Sequence, residues 1–380
     1  MKPATLEFLK QRFQSYYNGE IKGAGAVYTP ASISEREWGF LFFSADRKSG
    51  MRRHMSFNSI DEANSYMKNI VPSHVYYSTA YYARPSAATM KDKQWLGADL
   101  IFDLDADLIV RGAYDVMLDR VKSELFKLID VLTDELGFSK NDLNINFSGG
   151  RGYHIHIQSM KIRNWNSAKR RELADYVSGT GISAESMLTS AKNIGWQKRY
   201  RESLNEELRY IKELEMSDAL SYLTGLSGIS DKFAIGFLKN IDKTMEILSK
   251  SPSKLTENKV IKAIADAENK SFQSKVLSKA ALVDEPVTTD IKRLIRHPGS
   301  LHGGSGFRVM PIDINDLDSF DPLVDAVVFS DRNMKVECPF NLSMQMMDNK
   351  YDLVKGQNTV PEALAVFLCC RGIAEISGGL

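Results

Sequence analysis

The chain has 380 residues, 43% of them hydrophobic, which is enough to bury a sizeable core and to form two or three domains. Its net charge of +1 excludes a protein that coats nucleic acid by bulk positive charge, so any phosphate binding requires a local group of cations. The three cysteines, Cys338, Cys369 and Cys370, lie in the C-terminal part and indicate a reduced protein rather than a disulfide scaffold. With no apolar leader and no run of about 18 apolar residues, we expect a soluble, cytoplasmic protein.

The first part of the chain alternates between predicted helices and strands. A helix is predicted from Thr5 to Tyr17, with Thr5 as its N-cap. The elements predicted after it are strands at Trp38 to Phe43, His74 to Tyr77 and Gly97 to Asp105, an amphipathic helix from Asp115 to Leu136, and strands at Leu143 to Phe147 and Tyr153 to Ile157. This mixture predicts an α/β or α+β catalytic core with a mixed sheet.

The pattern becomes helical and highly charged after about Asn164. We predict an inserted helical domain at 165–279, with 1–164 and 280–380 forming the catalytic core. The helices predicted beyond this point are Ser203 to Glu215, with a capping box of Ser203 and Glu206, then Asp231 to Ser249, Thr256 to Leu282 and, at the C-terminus, Pro361 to Ile376.

Two carboxylates mark the strand that ends at Asp105. Because side chains alternate along a strand, Asp103 and Asp105 share one face, and Phe102 and Leu104 point to the other. Aspartate is disfavoured in strands, and two adjacent carboxylates repel each other unless a cation lies between them. Mg²⁺ and similar hard cations prefer such oxygens, and paired ions can activate a hydroxyl and stabilise a leaving pyrophosphate. The alternative is an edge strand with a solvated acidic face.

A glycine-rich turn follows, in the sequence Ser148-Gly149-Gly150-Arg151-Gly152-Tyr153-His154. Its glycines allow close approach of the backbone to a ligand, and successive N–H groups can cradle an anion. Arg151 suits bidentate binding of a phosphate. A simple hairpin with two histidines, His154 and His156, is the alternative.

A third cluster extends from Asp284 to Gly306. Ile291, Leu294 and Ile295 would bury one face of a helix whose other faces carry Lys292, Arg293 and Arg296, and a glycine-rich loop with His302 follows. A basic helix end that leads into such a loop suits a triphosphate. A solvated charged helix followed by a turn is the more common origin of this pattern.

Taken in order, the three clusters resemble the motifs of the archaeal and eukaryotic DNA primase catalytic subunit. That family has an Asp-x-Asp strand, a Ser-Gly-x-Arg-Gly-x-His segment, and a third acid that precedes a basic helix and a His-containing loop. Here the matching residues are Asp103 and Asp105, then Ser148, Arg151 and His154, then Asp284 and His302. Further likeness lies at Ser34 to Trp38, Tyr76 to Tyr82 and the segment from Val360.

The resemblance implies a primase-type core and a role for each site residue. Asp103, Asp105 and Asp284 would be catalytic and would hold two Mg²⁺ or Mn²⁺ ions. Nucleotide binding would fall to Ser148, Arg151, His154, Arg296 and His302, and also to Arg36. The expected partners are a large regulatory subunit, a single-stranded DNA template and nucleoside triphosphates. Many family members carry a zinc knuckle after the Asp pair, but 108–146 contains no Cys or His, so we expect no zinc.

Two other functions fit parts of the sequence. A rolling-circle nicking endonuclease holds a metal with a His-apolar-His pair, here His154 and His156, beside a nucleophilic tyrosine, but this reading leaves the Asp pair unexplained. A non-catalytic single-strand-binding module would use aromatic and basic side chains. It also leaves the carboxylates unexplained, because they repel a phosphate backbone.

Overall fold

The computed structural model describes residues 1–21, 28–44, 50–109, 112–190 and 192–377. The helices in chain order are α1 (Pro3–Tyr17), α2 (Ile60–Ile70), α3 (Met90–Lys93), α4 (Ala106–Ile109), α5 (Tyr114–Asp130), α6 (Ser167–Ser178), α7 (Ala184–Thr189), α8 (Gly195–Glu213), α9 (Met216–Thr224), α10 (Asp231–Leu238), α11 (Ile241–Lys250), α12 (Lys259–Ile264), α13 (Lys270–Leu277), α14 (Glu285–Thr289), α15 (Pro322–Asp325) and α16 (Glu362–Arg371). Among the described residues, no helix is both long and apolar enough to cross a membrane.

Among the described residues, the strands lie before α6 and after α14. They are β1 (Trp38–Leu41), β2 (Arg52–Met55), β3 (His74–Ser78), β4 (Ala80–Tyr82), β5 (Trp95–Ala98), β6 (Leu100–Asp105), β7 (Leu143–Phe147), β8 (Gly152–Ile157), β9 (Leu294–Arg296), β10 (Met310–Ile312), β11 (Asn333–Cys338), β12 (Leu342–Met346), β13 (Asn349–Leu353), β14 (Gly356–Pro361) and β15 (Glu375–Ile376). The predicted combination of helices and strands in an α+β core is therefore confirmed, but the strand pairs that the structure describes are all antiparallel, so the expected mixed sheet is not found among them.

The chain divides into two compact units. The larger unit contains residues 1–125, 138–172 and 283–380, and the helical unit contains 126–137 and 173–282. The predicted boundaries at 164/165 and 279/280 lie eight and three residues before the divisions at 172/173 and 282/283. The segment 126–137, which the sequence placed in the core, is grouped with the helical unit.

Antiparallel pairing builds the sheets of the larger unit. One four-stranded sheet has the order β2-β1-β3-β9 and another has the order β10-β7-β8-β6, beside a three-stranded sheet and two strand pairs. In the second sheet, Asp103 pairs with His154 and Asp105 pairs with Gly152. This register places the glycine-rich turn between β7 and β8 at the carboxylate-bearing end of β6.

The helical unit has its own apolar core. One face of α8 supplies Trp196, Tyr200, Leu204, Leu208 and Ile211, spaced three or four residues apart and nearly inaccessible to solvent. This spacing is that of an amphipathic helix, and the opposite face of α8 is left for polar side chains.

Several predicted element ends are wrong. Helix α1 begins at Pro3, so Thr5 is not its N-cap, and the Thr5 hydroxyl instead accepts a hydrogen bond from the Ile376 N–H. Ser203 does not start a helix either. It lies buried within α8 and donates to the Arg199 carbonyl, so the predicted capping box does not form.

The long helices predicted in the insert and at the C-terminus are interrupted. Asp231 to Ser249 is divided into α10 and α11, and Thr256 to Leu282 contains α12 and α13. The predicted Pro361 to Ile376 helix ends at Arg371, because Gly372 adopts a positive φ of 72° that terminates it.

The strand predicted from Gly97 to Asp105 is also two strands. Strand β5 pairs with β4, and β6 joins the four-stranded sheet. Between them the buried Asp99 accepts a hydrogen bond from the Tyr81 hydroxyl at 2.6 Å. Gly97, within β5, has a φ of +131°, and a side chain there would collide with Arg163.

Candidate active site

A cleft of about 530 Å³ in the larger unit collects every predicted site residue except Arg36. Its lining combines carboxylates with groups that carry positive charge or donate hydrogen bonds. The predicted residues in its lining are Asp103, Asp105, Ser148, Arg151, His154, Asp284, Arg296 and His302.

The Asp pair stands at the end of β6 as the alternation predicts. Asp103 and Asp105 are both partly exposed, whereas Phe102 and Leu104 between and beside them are buried. His154 on the adjacent strand β8 brings its Nε2 atom to 3.2 Å from Asp103 Oδ1. The Asp105 carboxylate accepts a hydrogen bond from the Asp107 N–H at 3.0 Å, which holds it at the start of α4.

Asp284 reaches the same cleft from a distant part of the chain. Its N–H donates to the Asp103 carbonyl at 2.8 Å, which ties it to β6. It occupies the N-cap position of α14, and its side chain lines the cleft. Partial burial and the nearby carboxylates of Asp103 and Asp105 raise the pKa of Asp284.

The three carboxylates are close enough to repel but do not form a closed coordination shell. In the described part of the chain, no group of three or more His, Cys, Asp or Glu side chains surrounds one metal position. All three nevertheless line the same cleft, where Asp103 and Asp105 add to the effect of burial in raising the pKa of Asp284. Oxygen-only donors that carry excess negative charge suit a hard divalent cation, so the donor set fits Mg²⁺ or Mn²⁺.

Glycine is required where the turn meets β6. A Cβ on Gly152 would lie 2.1 Å from the Leu104 carbonyl oxygen, which is well inside van der Waals contact.

The Arg151 guanidinium forms an ion pair with Asp107 at 2.6 Å, at a site where Asp107 is largely exposed. Exposed pairs of this kind contribute only about 0–1 kcal/mol, so a phosphate can replace Asp107 at little cost.

The loop between β9 and β10 places His302 against this turn. The Ser305 hydroxyl donates to the Gly149 carbonyl, which joins the two loops. The His302 Nδ1 atom accepts a hydrogen bond from the Gly304 N–H at 3.1 Å. Burial, with the nearby positive charge of Arg296, lowers the pKa of His302 well below its usual value. The ring is therefore neutral and carries its proton on Nε2, where it can donate to an anion.

Arg296 is held in place by two neighbours on β3. Its guanidinium donates to His74 Nδ1 at 2.6 Å and to the Tyr76 hydroxyl at 3.1 Å. Burial, followed by the positive charge of Arg296, lowers the pKa of His74 to about 3, so this histidine is a neutral acceptor. The positive charge of Arg296 is thus oriented by neutral groups.

Arg36 lies outside the cleft. Its side chain is fully buried, pairs with Asp99 at 2.8 Å, and stacks over the Tyr81 ring at 3.6 Å. It also donates to the carbonyls of Ser78 and Thr79. This placement speaks against the predicted contact with nucleotide and assigns Arg36 to the support of β3 and β4.

The basic helix predicted at Ile291 to Arg296 is wrong. Residues 294–296 form β9, which pairs with β3 so that Arg296 lies opposite Tyr76. Arg296 therefore lies on a strand rather than on a helix face, and its side chain lines the cleft. Arg293, which the sequence placed in the same basic cluster, also lines the cleft, whereas Tyr76, Tyr114, Ser305 and Arg371 line it without a local pattern that reveals them.

His154 and His156 have different surroundings. His154 lines the cleft, whereas His156 does not, and its Nδ1 atom contacts the Tyr77 hydroxyl at 3.2 Å. Burial lowers the pKa of His156 well below its usual value. The two imidazoles therefore do not present a shared metal position to the cleft.

Comparison with known proteins gives one consistent result. A family model described as DNA primase small subunit matches residues 102–314, which includes the Asp pair, the glycine-rich turn and His302. The chain is similar to the DNA primase small subunit PriS of Methanocorpusculum labreanum, with 65% identity over 380 residues and 100% of both chains covered. It is also similar to the proteins of the same name from Methanoregula boonei and Methanosphaerula palustris, at 49% and 47% identity. These alignments cover 99% and 100% of this chain, and 100% of each relative.

Proposed function

The chain belongs to the DNA primase small-subunit family, and we propose that it is the catalytic subunit that joins nucleoside triphosphates into a primer on single-stranded DNA. One observation carries this proposal. Three carboxylates, Asp103, Asp105 and Asp284, and a set of cationic and hydrogen-bond-donating side chains line one cleft. Nucleotidyl transfer needs both kinds of group, since a hydroxyl must be activated while a triphosphate is held and its leaving group stabilised.

The carboxylates are proposed to hold two divalent ions. Mg²⁺ or Mn²⁺ bound by Asp103, Asp105 and Asp284 would supply activation of the primer hydroxyl and stabilisation of the leaving pyrophosphate. His154, which lies 3.2 Å from Asp103, would orient that carboxylate. The lack of a structural zinc stays a prediction from the sequence.

The cationic side of the cleft is proposed to hold the triphosphate. Arg151 would exchange its exposed partner Asp107 for phosphate oxygens, and Arg296 would add a second guanidinium. His302 would donate from Nε2 without adding charge. Arg293 and Arg371 line the same cleft and extend its positive charge.

The rival functions have less support. A nicking endonuclease would need His154 and His156 at one metal, but His156 is buried away from the cleft. A binding module without catalysis would gain nothing from Asp103, Asp105 and Asp284, because these groups repel the phosphate backbone.

Incubation with a single-stranded template, labelled nucleoside triphosphates and Mg²⁺ or Mn²⁺ tests the proposal. We expect new oligonucleotides that depend on both template and metal, since the cleft combines carboxylates with cationic side chains. A covalent phosphotyrosyl adduct in place of oligonucleotides would establish the nickase. Strand binding with neither product would establish the binding module.

We further propose that the chain works with a large regulatory subunit. Starting a primer requires two nucleotides and a template to be held at once, and a net charge of +1 gives this chain little general affinity for a strand. A partner with its own template or nucleotide contacts would raise the effective concentration at the cleft.

This partnership predicts a difference between initiation and extension. The isolated chain should extend an existing primer better than it forms the first dinucleotide, and adding the partner should raise initiation more than extension. Both rates can be measured on one template at equal protein concentration and salt. Equal initiation by the isolated chain and by the complex would contradict the prediction.

A further inference from the structure

The helical unit contains a second pocket, separate from the cleft, with a volume of about 630 Å³. One wall is the polar face of α8, which contributes Lys198, Arg201 and Asn205. The facing wall is the end of α11 and the turn after it, Pro252–Leu255, which contributes Lys254. The other face of α8 is buried in the core of the unit, so this wall is fixed by packing.

The pocket lining is rich in positive charge. It contains Lys198, Arg201, Lys250 and Lys254 but a single acid, Glu202. Lys250 pairs with Glu246 at 2.7 Å, whereas Lys198 and Lys254 form no ion pair with any described residue. In a chain of net charge +1, this is a local excess and not a general property of the surface.

Arg201 shows that the excess charge is built into the wall. Its guanidinium donates to the carbonyls of Ser190 at 2.6 Å and Met187 at 3.2 Å, and to Asn193 Oδ1 at 3.3 Å. All three acceptors are neutral, so they position the guanidinium without cancelling its charge. A half-buried cation that is held by neutral oxygens keeps a positive potential in the pocket.

The remaining lining indicates which ligand the pocket would take. Serine and asparagine side chains, among them Ser251 and Asn205, provide hydrogen-bond donors, and the lining contains no aromatic ring. Stacking platforms for bases are therefore missing from it, and the available groups suit phosphate oxygens. A flexible single strand can bend its phosphates into a recessed pocket, whereas those of a duplex lie on a rigid cylinder.

We propose that this pocket binds the phosphate backbone of single-stranded nucleic acid, independently of base sequence. The choice of nucleic acid over another polyanion rests on the proposed function, in which a single strand is the template. The test measures binding rather than synthesis, so its result stands whether or not the cleft makes primers.

The test is the affinity of the full-length chain for fluorescein-labelled oligothymidylate, measured by anisotropy in EDTA over a series of salt concentrations. The Lys198→Ala/Lys254→Ala double variant removes two phosphate contacts. We expect it to reduce the slope of log affinity against log salt by about 1.4 and to weaken binding about tenfold near 0.1 M salt. Asn205→Asp, which places a carboxylate in the pocket wall, should weaken binding as well.

The Lys239→Ala/Lys243→Ala double variant is the matched control, because both lysines are exposed on the same unit and lie outside the pocket. It should bind like the parent chain, and all variants should unfold at the same temperature. Equal affinity and salt slope in the pocket variants and the control would overturn the proposal. The same variants are also titrated with labelled ATP and with labelled polyglutamate. A loss of binding confined to ATP would overturn the proposal and assign the pocket to free nucleotides. A loss confined to polyglutamate would overturn it as well and assign the pocket to an acidic polypeptide.

Discussion

Replacing Asp103 or Asp105 by asparagine is expected to abolish primer synthesis while leaving the fold intact. Asparagine keeps the size of the side chain but removes the charge that would hold a divalent cation in the cleft. Loss of such a cation costs several kcal/mol of transition-state stabilisation, which corresponds to several powers of ten in rate. Both carboxylates are partly exposed at the end of β6, so the core does not depend on their charge.

The measurement is the rate of nucleotide incorporation on a primed single strand, which separates the chemistry from the demands of initiation. Asp142→Asn is the matched control, since Asp142 is an exposed acid just before β7 and outside the cleft. Isothermal titration with Mn²⁺ provides a readout that does not require turnover, and it should show binding lost with Asp103→Asn but kept with Asp142→Asn. Near-normal incorporation by either cleft variant would contradict the assignment.

Asp284→Asn gives an independent check on the same group of charges. Because the folded-state pKa of Asp284 is raised, its ionised form destabilises the metal-free fold, and that cost is present at neutral pH and disappears as the pH falls. The asparagine variant should therefore lose activity and yet unfold at a slightly higher temperature than the parent chain in EDTA. A variant that is both inactive and less stable would indicate a structural role instead.

Local sequence patterns predicted the Asp-bearing strand but not its partners. The alternation around Asp103 and Asp105 is a property of the strand itself, and the structure has both carboxylates on one partly exposed face as that alternation predicts. Arg371 lines the cleft, and His74 contacts the cleft residue Arg296, only through the packing of distant segments. No local period marks such residues, so they were found from the structure.

The basic segment before His302 shows how a short strand can resemble a helix. Ile291, Leu294 and Ile295 have helical spacing, but β9 has only three residues, too few for the alternation of a strand to be recognised. Its conformation is set by pairing with β3, a contact more than 200 positions away in sequence. Arg36 illustrates the opposite error, because its likeness to a family segment suggested nucleotide contact while burial assigns it to Asp99.

Arg296→Ala is expected to lower kcat/KM for nucleotide incorporation by a factor of about 10²–10³, the usual cost of removing one strong charge-stabilising donor. Arg296→Lys should recover little, because an ammonium does not reproduce the planar fork that a guanidinium offers to phosphate. Arg52→Ala is the matched control, since Arg52 is an exposed arginine on β2 outside the cleft. Equal kinetics for Arg296→Ala and the control would exclude Arg296 from nucleotide binding.

His74 should act on the same step through Arg296. Since His74 Nδ1 accepts from the Arg296 guanidinium at 2.6 Å, His74→Ala should release that side chain and raise the nucleotide KM more than it lowers kcat. His74→Asn, which keeps an acceptor, should recover part of the loss.

With a pKa of about 3, folded His74 stays neutral between pH 6 and 8, so the nucleotide KM should not change with pH in that range on its account. The pKa of His74 is lower in the folded chain than in the unfolded chain, whose histidine has the ordinary pKa of 6.5. The contribution of neutral His74 to the free energy of unfolding is therefore fully present above pH 6.5 and declines below it, because the unfolded chain takes up the proton first. A merely structural His74 would lower the unfolding temperature and leave the nucleotide KM unchanged, and that result would separate it from Arg296.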